Sequence, residues 1–221
     1  FMKNWEGESD QCTAEVDYKD ALAACNSIDI PIRSTNFSNE YWDGVFKNFI
    51  GEYSKGRTPN PDILCNKEVK FKAFLNYAAD IGGSKIATGH YARIKEDDRS
   101  FKLLKRIDLN KDQSYFLYLL NQEMLSKSLF PIGDISKQEV RQIAKENGLL
   151  NHAKKDSTGI CFIGERPFPE FISNYVEENI GKIIDEDGKE LGEHKGLQYY
   201  TLGQRQGIGI VGLKGSNNDP W

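Results

Sequence analysis

Apolar positions recur at helical spacing in several places along the chain. Trp42, Val45, Phe46, Phe49, Ile50 and Tyr53 fall on one face and predict an amphipathic helix over residues 41–53. Ala21, Leu22, Ala24 and Cys25 predict a helix over 17–27, and Val69, Ala73, Phe74, Tyr77 and Ala78 predict one from Asn66 onward. Residues 136–147 carry the fullest set of helix signals. Ser136 caps, Glu139 completes a capping box, Gly148 ends the run, and Val140, Ile143 and Ala144 are expected to face inward. The aromatic stretch 112–120 reads as helical, and 169–177 as one more short helix.

Short apolar runs at 1–5, 31–36 and 86–87 read as strands. Residues 91–94 and 101–104 suggest a hairpin across the charged turn 95–100. Residues 181–193 suggest another, with Asp187 and Gly188 at its turn. Helix and strand alternate through the first part, which predicts an α/β fold with a doubly wound parallel sheet. That pattern stops near 164–169. The expected division is therefore a larger α/β domain over 1–165 and a small second domain over 166–221.

Composition narrows the class. The chain has 221 residues, 38% hydrophobic and 28% charged, as expected of a globular protein. No apolar run is long enough to span a bilayer, and no secretory signal is present, so a cytoplasmic protein with no membrane association is expected. The opening residues FMKNW look like a chain entered within an element, with residues missing upstream. The net charge of −4 argues mildly against a nucleic-acid binder, although a local basic patch is compatible with an acidic total. Cys12, Cys25, Cys65 and Cys161 are scattered with no CxxC pair, which gives a zinc site little support and suits a reducing compartment.

Two of these cysteines have unusual surroundings. Residues 56–71 read GRTPNPDILCNKEVKF. Pro59 and Pro61 predict a stiff, extended loop over 58–62, placing Cys65 just before a helix or in its first turn. A helix dipole and Lys67 there favour a thiolate, and Asp62 is close enough to share a pocket. A lone thiol is more commonly a small buried hydrophobe. Cys161 lies in DSTGICFIGER, beside Gly159 and near Lys154, Lys155 and Arg166. Two cysteines in such loops suggest a pair that exchanges sulfur or closes a transient disulfide. Thr88, Gly89 and His90 follow the strand at 86–87, at the edge where open α/β sheets bind ligands. Residues 154–159 hold little apolar content to anchor them, so the Cys161 loop is expected to move.

The segments TPNPDILCNKEVKF, ATGHYARI, NKDQSYFLYLL, KKDSTGICFIGER and YTLGQRQGIGI occur in this order. Together they closely resemble the bacterial tRNA-specific 2-thiouridylases, ATP pyrophosphatases that place sulfur on the wobble uridine. The resemblance implies an adenine nucleotide α-hydrolase-like fold, with a small tRNA-binding domain after it. It implies ATP with Mg²⁺ and no permanently bound metal. The implied partners are the tRNA anticodon loop and a sulfur-relay protein fed by a cysteine desulfurase. It assigns Cys65 as nucleophile or resolving thiol, Cys161 as the persulfide carrier and Asp62 as acid or base, with a Cys65–Cys161 disulfide as one outcome. Met2 and Gly89 become nucleotide contacts. Asn60, Pro61 and Asp62 lie beside the target base, and Lys111, Asp112 and Gln113 touch tRNA. His90, Lys154 and Lys155 support the site. The family's N-terminal SGGxDS phosphate loop and C-terminal β-barrel are expected to be absent from this sequence. Two alternatives stand beside this reading: another ATP-pyrophosphatase-type tRNA sulfurtransferase, and a non-catalytic RNA-binding module. Thiolases that hold an iron–sulfur cluster use three cysteines, and only Cys65 and Cys161 have suitable surroundings here.

Overall fold

The structure, a computed structural model, describes residues 1–5, 14–108, 111–155, 167–204 and 207–208. The chain divides into two compact units, Phe1–Phe46 with Pro61–Glu165, and Lys47–Asn60 with Arg166–Trp221. Among the described residues no helix is long and apolar enough to cross a membrane.

The first unit opens with β1 (Met2–Lys3), α1 (Ala14–Ser27) and β2 (Thr35–Asn36), and β1 pairs parallel with β2. Next comes α2 (Ser38–Tyr41), which runs into a π-helical segment, Trp42–Phe46, and then into α3 (Lys47–Tyr53), part of the second unit. A π turn holds more residues than an α turn, so the inward stripe slows. Tyr41, Val45, Phe49 and Tyr53 are buried, each four residues after the last, and Phe46 is buried too. Trp42, expected on that face, is instead 42% exposed.

The same effect alters the next helix. It starts at α4 (Pro61–Leu64), winds as a π helix over Cys65–Ala73 and continues as α5 (Phe74–Asp80). Its start is therefore earlier than the two prolines suggested. Proline suits the first helical position because its missing N–H would be unpaired there in any case. Cys65 thus sits beyond the first turn, and the extended loop ends at Asn60. The buried stripe becomes Cys65, Asn66, Val69, Phe71, Leu75 and Ala78, while Ala73, Phe74 and Tyr77 are only half-buried.

After α5 come β3 (Ile86–Ala87), the hairpin β4 (Ala92–Asp97) with β5 (Ser100–Lys105), and a 3₁₀ turn, Ser114–Leu117. They are followed by α6 (Gln122–Ser126), β6 (Ser128–Leu129) and α7 (Lys137–Glu146). β3 pairs parallel with β6, so the described parallel strands form two pairs, β1–β2 and β3–β6. The hairpin turn is tighter than expected because Asp97 Oδ1 accepts from the Ser100 amide at 3.1 Å. The helix expected over 112–120 is cut short. Asn121 is extended, and its side chain accepts from the Met124 amide at 2.9 Å, starting α6 afresh.

The core of this unit gathers Phe71, Leu75, Ile86, Leu117, Leu125 and Phe130, among others. Gly133 is buried against the start of β4, where an added Cβ would lie 1.8 Å from the Ala92 carbonyl oxygen. Only glycine fits that approach. α7 has the cap read from sequence, with Ser136 Oγ accepting from the Glu139 amide at 3.1 Å. Its apolar face is not fully covered: no residue of α7 is buried, and Ile143 is 44% exposed.

The second unit contains α3, α8 (Phe168–Ser173), the hairpin β7 (Gly181–Ile184) with β8 (Glu190–His194), and a 3₁₀ turn, Leu197–Tyr199. Tyr53 packs on Phe49 and Phe168, with ring centroids 4.8 and 5.2 Å apart. Gly188 takes φ 81° at the hairpin turn, while Asp185 Oδ1 accepts from the Asp187 and Lys189 amides. Gly56 has φ 70°, and an added Cβ would lie 2.8 Å from the Leu197 side chain. That glycine lets the proline loop lie against the Leu197 turn. An open cleft of about 790 Å³ is lined there by Arg57, Lys182, His194, Tyr200 and Gln204, among others.

Candidate active site

α4 and the π segment set the positions of the two candidate reactive groups on the first helix. Asp62 and Cys65 are three residues apart on a continuous helical run, so their side chains stand on adjoining positions of one face. Asp62 is half-buried. Cys65 carries a thiol with 0% of its surface exposed. Pro61 is half-buried beside them. Asn60 is exposed and falls in the second unit, so the division between units passes through this motif. Lys67 does not stand as a cation dedicated to the thiol, because its ammonium lies 3.3 Å from Glu68.

Asn66 was not singled out from the sequence, yet it organises the neighbourhood. It is 2% exposed. Its Nδ2 donates to the Phe116 carbonyl oxygen at 2.9 Å, and its Oδ1 accepts from Lys70 Nζ at 2.9 Å. The bond to Phe116 ties the Cys65 helix to the 3₁₀ turn that follows Lys111, Asp112 and Gln113. No sequence signal marks it, since an asparagine in a helix ordinarily faces water.

The turn after β3 meets the same helix. His90 packs against Phe71 and Phe130, with ring centroids 5.7 and 6.0 Å away and planes inclined at 41° and 76°. Its Nδ1 lies 2.8 Å from Thr88 Oγ1. Burial, helped by the Lys70 ammonium, pulls its pKa down to about 3, so the ring is neutral at pH 7. Gly89 is exposed, and a Cβ added there would meet nothing within 4 Å, which leaves room for a ligand against the backbone. Met2 is half-buried in β1.

Lys111, Asp112 and Gln113 are held largely by the protein itself. Gln113 Oε1 accepts from the Tyr91 amide at 3.0 Å, which fixes it beside His90. Asp112 accepts from the Arg106 amide and from Ser114, whose hydroxyl donates at 2.7 Å. Arg106, also missed in the sequence, is a buried cation with 1% exposure. It lies over the Tyr91 ring at 4.3 Å and donates to the carbonyls of Lys111 and Ile135. Asp62, Cys65, Gly89, His90 and the Lys111–Gln113 stretch are thus gathered by three links: Asn66 to Phe116, Phe71 to His90, and Tyr91 to Gln113.

Lys154 is placed differently. Its ammonium lies 2.7 Å from Asp20 and 3.1 Å from Asp17, both on α1, and those bonds raise its pKa. Lys155 is exposed. Cys161 and Arg166, together with Cys12, lie outside the described residues. Cys25 is half-buried on α1 and carries a thiol.

Residues 1–165 match the family described as tRNA methyl transferase HUP domain, and residues 169–221 match tRNA methyl transferase PRC-barrel domain. The chain is also similar to proteins named tRNA-specific 2-thiouridylase MnmA. That of Hydrogenovibrio crunogenus is 58% identical over 100% of this chain and 59% of its own length. Those of Francisella tularensis subsp. novicida and Francisella philomiragia are 58% identical over 100% of this chain and 62% of theirs. The chain therefore spans about three-fifths of the length of these relatives.

Proposed function

This chain belongs to the tRNA methyl transferase family, with its HUP and PRC-barrel domains, and on that premise we propose that it carries out ATP-dependent 2-thiolation of the wobble uridine of tRNA. One observation carries the reading: 58% identity to named 2-thiouridylases across the whole chain. Residues 1–165 act as the nucleotide-binding and catalytic α/β part with a doubly wound parallel sheet, a reading that the separate parallel pairs β1–β2 and β3–β6 support. Residues 166–221 serve tRNA binding.

The chemistry needs a leaving group, because a uracil carbonyl oxygen departs poorly. Attack of uridine O2 on the α-phosphorus of ATP, with loss of pyrophosphate, turns that oxygen into part of AMP. Met2 and the open backbone at Gly89 are the nucleotide contacts, and Mg²⁺ arrives on the ATP phosphates. A persulfide on Cys161, loaded by a sulfur-relay protein, then attacks C2, and AMP leaves. The Cys65 thiolate attacks the Cys161 sulfur, releasing the thiolated base and forming a Cys65–Cys161 disulfide, which cellular thiols reduce. Asp62, on the adjoining position, takes or returns the proton. The wobble base reaches Asn60, Pro61 and Asp62 only when unstacked from its loop. Lys111, Asp112, Gln113 and His90 line its approach, and Lys154 and Lys155 offer cations to phosphates. A reducing cytoplasm suits an enzyme that turns over thiols.

ATP-dependent transfer of labelled sulfur to tRNA by the intact protein tests this. Cys161→Ser and Cys65→Ser are each expected to abolish transfer, while pyrophosphate release in the presence of tRNA survives in Cys161→Ser. Undiminished sulfur transfer by Cys161→Ser would remove the persulfide assignment. Failure of the unsubstituted protein to thiolate tRNA would remove the function itself.

A further inference from the structure

Tyr115 sits on the 3₁₀ turn just after Lys111, Asp112 and Gln113, and Tyr118 is the residue that closes it. Residues three apart eclipse one another in a 3₁₀ helix. Leu117 is buried in the core and Phe116 is half-buried, which turns the two tyrosines outward. Tyr115 is 62% exposed and Tyr118 is 59% exposed. Their ring centroids stand 6.0 Å apart, with the planes inclined at 44°.

The turn is also unusually well fixed. Asn66 grips its Phe116 carbonyl from the Cys65 helix, and the Asp112 carboxylate caps it through Ser114. The rings are therefore presented from a backbone pinned to the helix that carries Asp62 and Cys65. The carboxylates of the preceding stretch are engaged within the protein: Asp108 lies 3.4 Å from Arg106, and Asp112 is taken up by backbone and Ser114 donors.

We propose that Tyr115 and Tyr118 form a stacking platform for unpaired bases of the RNA substrate. This inference rests on the tRNA reading above and extends it, by assigning where nucleotides beside the target base are held once that base is drawn out. Aromatic faces accept any base, so the platform gives affinity and order without sequence selection. Pre-ordering on Asn66 means that little entropy is lost when the RNA arrives.

The test is the affinity of the intact protein for a tRNA anticodon stem-loop with uridine at the wobble position, at fixed salt. Stacking on an aromatic contributes roughly 1–3 kcal/mol per base, so Tyr115→Ala and Tyr118→Ala should each weaken binding by roughly 5- to 150-fold. Tyr115→Phe and Tyr118→Phe should bind as the unsubstituted protein does. A blunt RNA duplex without a loop should be bound equally by all variants. Lys111→Ala should lower the slope of log affinity against log salt, whereas the tyrosine variants should leave it unchanged. Both side chains are exposed, so unchanged thermal midpoints are expected to accompany the loss. If the alanine variants hold the stem-loop normally, the platform does not exist, while the function stands as long as thiolation proceeds. Normal RNA binding with impaired sulfur loading from a donor protein also overturns it, since the face would then serve a protein. If the unsubstituted protein binds no tRNA, both the platform and the function fall.

Discussion

The helical run from Pro61 to Asp80 and the stretch from α7 to Lys155 belong to the same unit, yet they are built on opposite terms. The first buries Cys65, Val69 and Phe71 at 0% exposure and adds a buried asparagine with both ends of its amide engaged. The second buries no residue of α7, leaves Leu150 at 87% exposure, and is tied at Lys154 to two surface aspartates. Stability within a fold follows such differences: segments with few buried apolar contacts open at low free energy, and packed ones open only with the whole. The side that holds Asp62 and Cys65 is thus fixed in advance. The stretch from α7 to Lys155 is joined to the rest by partly covered and ionic contacts.

The comparison breaks most directly under truncation of matched side chains. Phe71→Ala should cost about 3–5 kcal/mol, as for other buried aromatics, while Ile143→Ala should fall within about 1 kcal/mol. Urea denaturation of the intact protein measures both, and equal losses would erase the distinction. A smaller effect belongs to the packed side. His90 is neutral when folded, whereas in the unfolded chain it takes a proton below its ordinary pKa of 6.5. The unfolded state then binds more protons between pH 6.5 and about 3, so this group's contribution favours unfolding increasingly as pH falls through that window. Between pH 7 and pH 5 the loss should reach up to about 2 kcal/mol, and His90→Gln should remove that part of the slope. An unaltered slope would mean that the imidazole is not held neutral. The smallest effect lies at Lys154. Its exposed pairs with Asp17 and Asp20 should contribute no more than about 1 kcal/mol and fade with salt. Lys154→Met should raise amide exchange in residues 137–155 and leave residues 61–80 unchanged. Faster exchange in both would show that the two regions open together.

What could be read beforehand followed the range of the interactions involved. The α7 cap at Ser136, the Asp187–Gly188 turn and the β4–β5 pairing depend on residues a few positions apart, and sequence pattern carries that information. The π winding over Cys65–Ala73 does not follow from the sequence. Apolar residues at 69, 73, 74, 77 and 78 fit an α helix well, and packing against the rest of the unit selected another phase. Arg106 and Asn66 escaped notice for a similar reason, since each is a polar residue whose burial is compensated in part by a carbonyl far along the chain. Asp62, Cys65 and Gly89 were visible as types in unusual loops, and Gln113 came in only with the family resemblance. The links that gather them run through Phe71, Tyr91 and Asn66, which look like ordinary filler in one dimension.

Complete enclosure of the Cys65 thiol has a consequence for its chemical durability. Oxidation to sulfenic and higher acids follows thiolate character and access, and so does alkylation. With 0% of its surface exposed, Cys65 is out of reach of dissolved peroxide and maleimide alike while the helix stays closed, whereas half-buried Cys25 is open to both. Of these two thiols, air oxidation would therefore take Cys25 long before Cys65. The same enclosure means that any reagent reaching Cys65 must wait for the helix to open, which makes encounters with small oxidants rare.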